Sequence, residues 1–222
     1  MDPFVTYRGR AALFDWTDVN TDLIIPARYL KRIERTGYGP LLFADKRYVE
    51  GGAPEPDDPG RHGSEVADFP LNAPAARAST VLVVGRNFGC GSSREHAVWA
   101  VQQAGFRAVI APGRDEGFAD IFEGNAYNNG LLPIELPVDD WKALAAAVGA
   151  EGGAEVTIDL RNLTITVHPA CGDEFSLAFE IPEDQRQRLL QGLDAIAETL
   201  QHEPAIRALE AKAPAWMTLN SA

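Results

Sequence analysis

An α/β fold built on a parallel sheet is the class this chain predicts, and three observations predict it. The apolar run Val81-Leu82-Val83-Val84 reads as a strand over 80–86. A glycine/serine loop, a helical stretch over 93–104 stopped at Gly105, and a second apolar run over 108–111 follow it. Such a strand-helix-strand unit requires parallel pairing through a right-handed crossover. A further strand over 132–136 and an alanine-rich helix over 139–148 continue the alternation. Finally, 155–160 and 163–168 alternate like a hairpin, apolar at Val156, Ile158, Leu160 and at Ile165, Val167, with His168 a strand residue.

The remaining elements are read in chain order. The segment through Tyr48 carries Asp15, Asn20-Thr21-Asp22, the short run Leu23-Ile24-Ile25-Pro26, and Lys31, Arg32 and Arg35 ahead of Thr36-Gly37-Tyr38-Gly39. A charge run of this kind is ordinarily a solvated face, and beside an anion-binding loop it is also a source of substrate-facing cations. Residues 50–78, with Pro54-Glu55-Pro56-Asp57-Asp58-Pro59-Gly60, predict a mobile acidic loop. Phe118, Ile121 and Phe122 have the spacing of a short helix over 118–122 packed on the core, and Asn125, Asn128, Asn129 and Gly130 read as a polar turn. From Glu183 the pattern is helical, broken at Gly192 and Pro204, with Leu189, Leu193, Ile196 and Leu200 on one stripe. The expected organisation is one domain over 1–182 and a helical extension of it over 183–222.

Composition narrows the function classes. With 222 residues, 45% hydrophobic and 23% charged, the chain has enough material for one good core. Its net charge of -12 repels a polyphosphate backbone, so nucleic acid is not an expected partner. Two cysteines, Cys90 and Cys171, in unlike contexts suit a reducing compartment and cannot form a metal site alone. The first residues lack the apolar core of a secretory signal, and no stretch approaches the ~20 apolar residues of a membrane span. A cytoplasmic protein with no membrane partner is expected.

The chemistry concentrates in Gly89-Cys90-Gly91-Ser92-Ser93-Arg94-Glu95-His96. Two hydroxyls, a guanidinium and unpaired backbone N–H groups at a helix start make a site for a carboxylate or another anion. The bland account is an S-x-x-E capping box between Ser92 and Glu95. Capping leaves unexplained the second serine, an arginine opposing the helix dipole, and the paired glycines. Other motifs fail on spacing: there is no Gly-Lys-Ser/Thr, position 94 is not the third glycine of a dinucleotide loop, and neither serine sits in Gly-x-Ser-x-Gly. Cys90 has no histidine evidently paired with it, which disfavours a thiolate nucleophile.

On these residues the chain resembles the small subunits of bacterial 3-isopropylmalate dehydratase, in the aconitase family. The resemblance runs through Asn20-Thr21-Asp22, Ile25-Pro26, Tyr29-Leu30, Thr36-Gly37, the block from Asn87 to His96, Phe118-Ala119-Asp120-Ile121-Phe122, Gly124-Asn125 and Leu131-Leu132-Pro133. It ends at Gly192-Leu193-Asp194-Ala195-Ile196 and Thr199-Leu200-Gln201-His202.

It implies the β/β/α swivelling domain of that family with a C-terminal helical extension. It also implies a hydro-lyase of leucine biosynthesis that converts 2-isopropylmalate to 3-isopropylmalate by loss and return of water. No cofactor is implied on this chain: a [4Fe-4S] cluster held by three cysteines of a separate large subunit is expected to act as Lewis acid. By the same resemblance Ser92 is the catalytic base, made basic by cap N–H groups and nearby cations. Ser93 and Arg94 hold a substrate carboxylate, and Tyr29, Leu30 and Arg32 belong to a loop that recognises the substrate's variable group.

One departure stands out. Family members run from the strand through Ala-Pro and a serine into Phe-Ala-Asp-Ile, whereas here Gly113-Arg114-Asp115-Glu116-Gly117 fills that gap. The altered loop is either a substrate-facing change or a tolerated surface insertion. It leaves room for a related hydro-lyase acting on citraconate, dimethylmaleate or a homoaconitate-type substrate, and a non-catalytic anion-binding module is the alternative from another class.

Overall fold

The computed structural model describes residues 1–113 and 116–212. Among them, seven strands form one sheet in the order β4-β3-β2-β1-β5-β6-β7. The strands are β1 Thr6–Phe14, β2 Val81–Val84, β3 Ala108–Pro112, β4 Leu132–Leu136, β5 Ala154–Asp159, β6 Thr164–Pro169 and β7 Phe175–Ala178. β1 through β4 are mutually parallel, and β1, β5, β6 and β7 are antiparallel. The two halves meet in β1: residues 6–10 pair with β5 and residues 11–14 with β2. The expected α/β class therefore holds, with the crossover helix α4 Glu95–Gln103 between β2 and β3.

Two elements absent from the sequence reading are β1 and β7. β1 carries no uniform apolar alternation because its first half is only partly buried beside β5 and its second half is mostly buried beside β2. Two other expectations change. The polar turn assigned to Asn125, Asn128 and Asn129 is the body of helix α5 Asp120–Asn129, which ends only at Gly130 in the left-handed conformation. Asn129 remains inside because its amide reaches back to the Asn125 carbonyl at 2.8 Å and to Glu95 Oε1 at 3.0 Å. The C-terminal stripe also divides. Helices α7 Glu183–Gln191, α8 Ala195–Leu200 and α9 Glu203–Glu210 are separated by Gly192 and by the turn before Pro204. Leu189 is core, while Ile196 and Leu200 are exposed.

Alternation along the strands sorts side chains to two cores. Leu82, Val84, Val109 and Ala111 face one core, with α4, α5 and the N-terminal segment including the short helices α1 Thr21–Ile24 and α2 Ala44–Arg47. Val81, Val83, Ala108 and Ile110 face the other, with α6 Val138–Gly149 and the antiparallel hairpins. A small helix, α3 Pro74–Arg77, leads into β2. Phe14 closes the end of β1 against Phe43 at 4.5 Å, Trp16 at 4.7 Å and Phe69 at 5.7 Å between ring centroids. The sheet's parallel half thus presents the carboxyl ends of β1 and β2 together, the place where open α/β sheets bind ligands.

Phe14 is fully buried. Phe14→Ala is expected to cost about 3–5 kcal/mol, because the rings packed around it collapse only partly into the void. Denaturant melts of the two chains measure the difference.

Candidate functional site

The loop after β2 is clamped on three sides by main-chain bonds. Gly89 N–H donates to the Val19 carbonyl at 2.7 Å, Phe88 N–H to Gly117 at 2.9 Å and Asn87 N–H to Glu116 at 2.9 Å, while the Cys90 carbonyl accepts from Thr21 N–H at 2.9 Å. Asn87 also donates its side-chain amide to Asp18 Oδ1 at 2.7 Å. Segment 18–21 is itself stiffened where Asn20 caps α1, its Oδ1 accepting from Leu23 N–H at 2.8 Å. Gly89 sits at φ +81 with the Phe122 ring against it: a β-carbon there would stand 2.6 Å from Phe122 Cδ2. Only glycine supplies both that backbone angle and that clearance.

The serines emerge from this clamp on a left-handed turn, with φ of 89° at Gly91 and 50° at Ser93. The expected capping box is not formed. α4 starts at Glu95 with Arg94 as its cap residue, and no side chain caps it. The left-handed residues carry Ser92 outward three residues before the helix, so Ser92 is exposed and Glu95 accepts from Asn129 instead. The first turn of α4 therefore has no side-chain cap, and of its N–H groups Ala97 bonds to the Arg94 carbonyl at 3.0 Å.

Arg94 is oriented by an ion pair of its Nη1 with Asp22 Oδ1 at 3.0 Å. An open cleft of about 580 Å³ reaches the turn at Ser93, its lining including Asp18, Arg86, Ser93, Glu116, Asp120 and Ile121 but neither Ser92 nor Arg94. Glu116 thereby places the altered loop on the cleft, paired with Arg86 at 3.2 Å. Arg114 and Asp115 of that loop lie outside the described residues. Burial, with Asp18 adding to it, pushes the Cys90 thiol up, which keeps it neutral and agrees with its exclusion as a nucleophile. Burial pushes the His96 imidazole down, in a ring cluster with Trp99 at 4.7 Å and Tyr38 at 5.6 Å.

Of the other expected site residues, Tyr29 and Arg32 bond to the main chain of residues 36–56. Tyr29 is fully buried, and its hydroxyl donates to the Pro54 carbonyl at 2.6 Å. Arg32 donates to the carbonyls of Pro56 and Thr36, with little of its side chain exposed. Leu30 is half-buried against the core, and Lys31 is exposed. Asp18, Asp22 and Asn87, which the motif reading gave no role, are what hold the turn and its arginine. Their spacing carried no signal because each acts on a residue far away along the chain. Among the described residues, no group of three or more histidine, cysteine or carboxylate side chains is placed to hold a metal ion.

Residues 1–139 match the family model for the aconitase C-terminal domain. The chain belongs to that family. It is 47% identical over 97% of its length to the 3-isopropylmalate dehydratase small subunit of Shewanella amazonensis, covering 99% of that protein. It is 49% identical over 96% of its length to the small subunit so named from Methylibium petroleiphilum, covering 94% of it. A crystal structure of 3-isopropylmalate dehydratase from Methanocaldococcus jannaschii superposes with a TM-score of 0.58 at 28% identity, over 93% of this chain and 99% of that one. Within the aconitase family, the chain therefore groups with the small subunits of 3-isopropylmalate dehydratase.

Two outcomes follow from the clamp. Gly89→Ala is expected to break the serine turn and lower stability by about 2 kcal/mol or more, read by thermal melts. His96 is expected to titrate below its usual value of 6.5 in an NMR pH series. The unfolded chain then takes up a proton that the folded chain refuses, so stability is intact above that value and declines as pH falls below it. His96→Phe is expected to flatten this decline in melts compared at about pH 7.5 and about pH 5.5.

Proposed function

We propose that this chain is the small subunit of a 3-isopropylmalate dehydratase, supplying the base and the carboxylate grip for the isomerisation of 2-isopropylmalate to 3-isopropylmalate. The observation that carries the reading is the Ser92-Ser93-Arg94 turn, presented at an uncapped helix start in a chain that matches such small subunits over nearly all its length.

Ser92 takes the proton from the carbon next to the departing hydroxyl, giving the alkene, and returns a proton as water adds at the neighbouring carbon. A neutral hydroxyl is a poor base, so the negative oxygen must be stabilised locally. The first-turn amides of α4 and the Arg94 charge supply that field. Arg94 keeps Nη2 for a substrate carboxylate while Asp22 orients Nη1, and the Ser93 hydroxyl adds a second donor. Among the described residues, none are grouped to hold a metal ion. A [4Fe-4S] cluster on a separate large subunit would supply Lewis-acid assistance to the leaving hydroxyl. The two free cysteines, Cys90 and Cys171, suit a cytoplasmic setting.

Glu116 on the cleft favours a second reading in which the same machinery serves a related diacid such as citraconate or a homoaconitate-type substrate. A substrate panel with the reconstituted pair separates the two.

Combined with a large subunit, the chain is expected to turn over 2-isopropylmalate with a transient alkene absorbance, and to be inactive alone. Ser92→Ala is expected to lower kcat by about a thousandfold. Its melting curve should be unchanged, since Ser92 is exposed and makes no cap. Activity near wild type would remove Ser92 from the chemistry.

A further inference from the structure

Residues 49–64 fold back on themselves. Val49 N–H donates to the Ser64 carbonyl at 3.0 Å and Gly63 N–H to the Gly52 carbonyl at 2.8 Å, and the pairing continues as an antiparallel bridge between Tyr48 and Glu65. The His62 ring packs on Tyr48 at 4.7 Å. Beyond this closed base, turns at Glu55–Asp58 and Asp58–Arg61 shape the tip.

The tip touches segment 27–37 at three prolines. Pro54 accepts the Tyr29 hydroxyl bond at 2.6 Å in a buried setting. The Pro56 carbonyl accepts from the Arg32 guanidinium, whose other nitrogen reaches the Thr36 carbonyl at 3.2 Å. Pro59 lies against Gly37, where a β-carbon would stand 3.3 Å from Pro59 Cγ, and Gly37 is at φ +85. Arg28 backs this contact by donating to the Tyr29 hydroxyl at 3.0 Å while pairing with Asp45 at 2.5 Å. Prolines restrict the tip before it docks, which lowers the entropy cost of holding it there.

Segment 27–37 is tied at both ends to the serine turn and its helix. Upstream, Thr21 N–H bonds to Cys90, and Asp22 pairs with Arg94. Downstream, Gln103 donates to the Arg35 carbonyl at 2.8 Å and accepts from Tyr38 N–H at 2.8 Å, while the Tyr38 ring packs on His96 and Trp99. The tip is what engages the stretch between those ties.

We propose that residues 49–64 form a strap whose proline tip holds segment 27–37 in its working position beside the serine turn, with Tyr29 and Arg32 as positioning residues rather than substrate ligands. The Tyr29 hydroxyl is spent on the Pro54 carbonyl, and the two terminal nitrogens of Arg32 on the carbonyls of Pro56 and Thr36. Lys31, Ile33, Glu34 and Arg35 are among the side chains that the same segment leaves outward, Ile33 being 93% exposed. Substrate discrimination then depends on the strap, while the proton-transfer turn, clamped independently by Val19, Gly117 and Phe122, does not.

The kinetic half of this proposal rests on the dehydratase reading; the structural half does not. Tyr29→Phe removes only the buried hydroxyl, and Arg32→Ala removes the guanidinium. In the full chain alone, both are expected to speed hydrogen exchange at the Val49 and Gly63 amides by about tenfold. In the enzyme paired with a large subunit, both are expected to raise KM for 2-isopropylmalate by about tenfold and to leave kcat within about twofold. Unchanged exchange in both variants would overturn the strap. So would a KM increase in Arg32→Ala alone with exchange unchanged, which would make Arg32 a substrate ligand. An inactive wild-type pair would sink the dehydratase reading, and the exchange measurement would still decide the strap.

Discussion

The main-chain clamp on residues 87–90 is the constraint from which the rest of the site follows. Four backbone bonds from segments 19–21 and 116–117 fix the loop, and the Phe122 ring leaves room for nothing larger than a hydrogen on Gly89. Because the loop is held by these backbone bonds and by the Asn87 amide on Asp18, the clamp draws on none of the side chains of Ser92, Ser93 and Arg94. A capping serine would have spent its oxygen on the helix. Here the left-handed turn moves that oxygen outward and leaves the start of α4 without a side-chain cap.

The architecture explains why such a clamp is available. β1 joins the parallel and antiparallel halves of the sheet, and its carboxyl end delivers residues 15–22 directly over the end of β2. The loop after β3 arrives from the other side, with Glu116 and Gly117 accepting from Asn87 and Phe88. Three chain segments converge at one sheet edge, as the crossover geometry of parallel strands dictates. The two cores on opposite faces of the sheet hold those ends rigid, and the aromatic stack around Phe14 closes the edge.

Tyr29 and Arg32, which the resemblance assigned to substrate, show how the fold adds contacts that a motif does not carry. Both belong to a basic, aromatic stretch near an anion site, and both are turned inward by carbonyls of the strap. A guanidinium that meets backbone carbonyls in a buried setting is structural in the same way a cap is. Arg94 differs because it pairs with a carboxylate, that of Asp22, rather than with backbone carbonyls.

Periodicity in the chain was sufficient for β2, β3, β4, the β5–β6 hairpin and α6, since each packs one regular face or is buried throughout, and composition was sufficient for the glycine/serine turn. It was silent on β1 and β7, and it misread the asparagine-rich half of α5 as a turn. β1 changes neighbours midway, so its two halves obey different burial patterns, and the asparagines of α5 are satisfied by partners outside the helix. The helix start at Glu95 rather than at the serines, the pairing of Arg94 with Asp22, and the capture of Tyr29 and Arg32 by residues 54–56 were decided only in the folded chain. Each depends on atoms brought together from distant positions, and a left-handed φ at a serine is a conformation that the surrounding structure imposes and local preference does not.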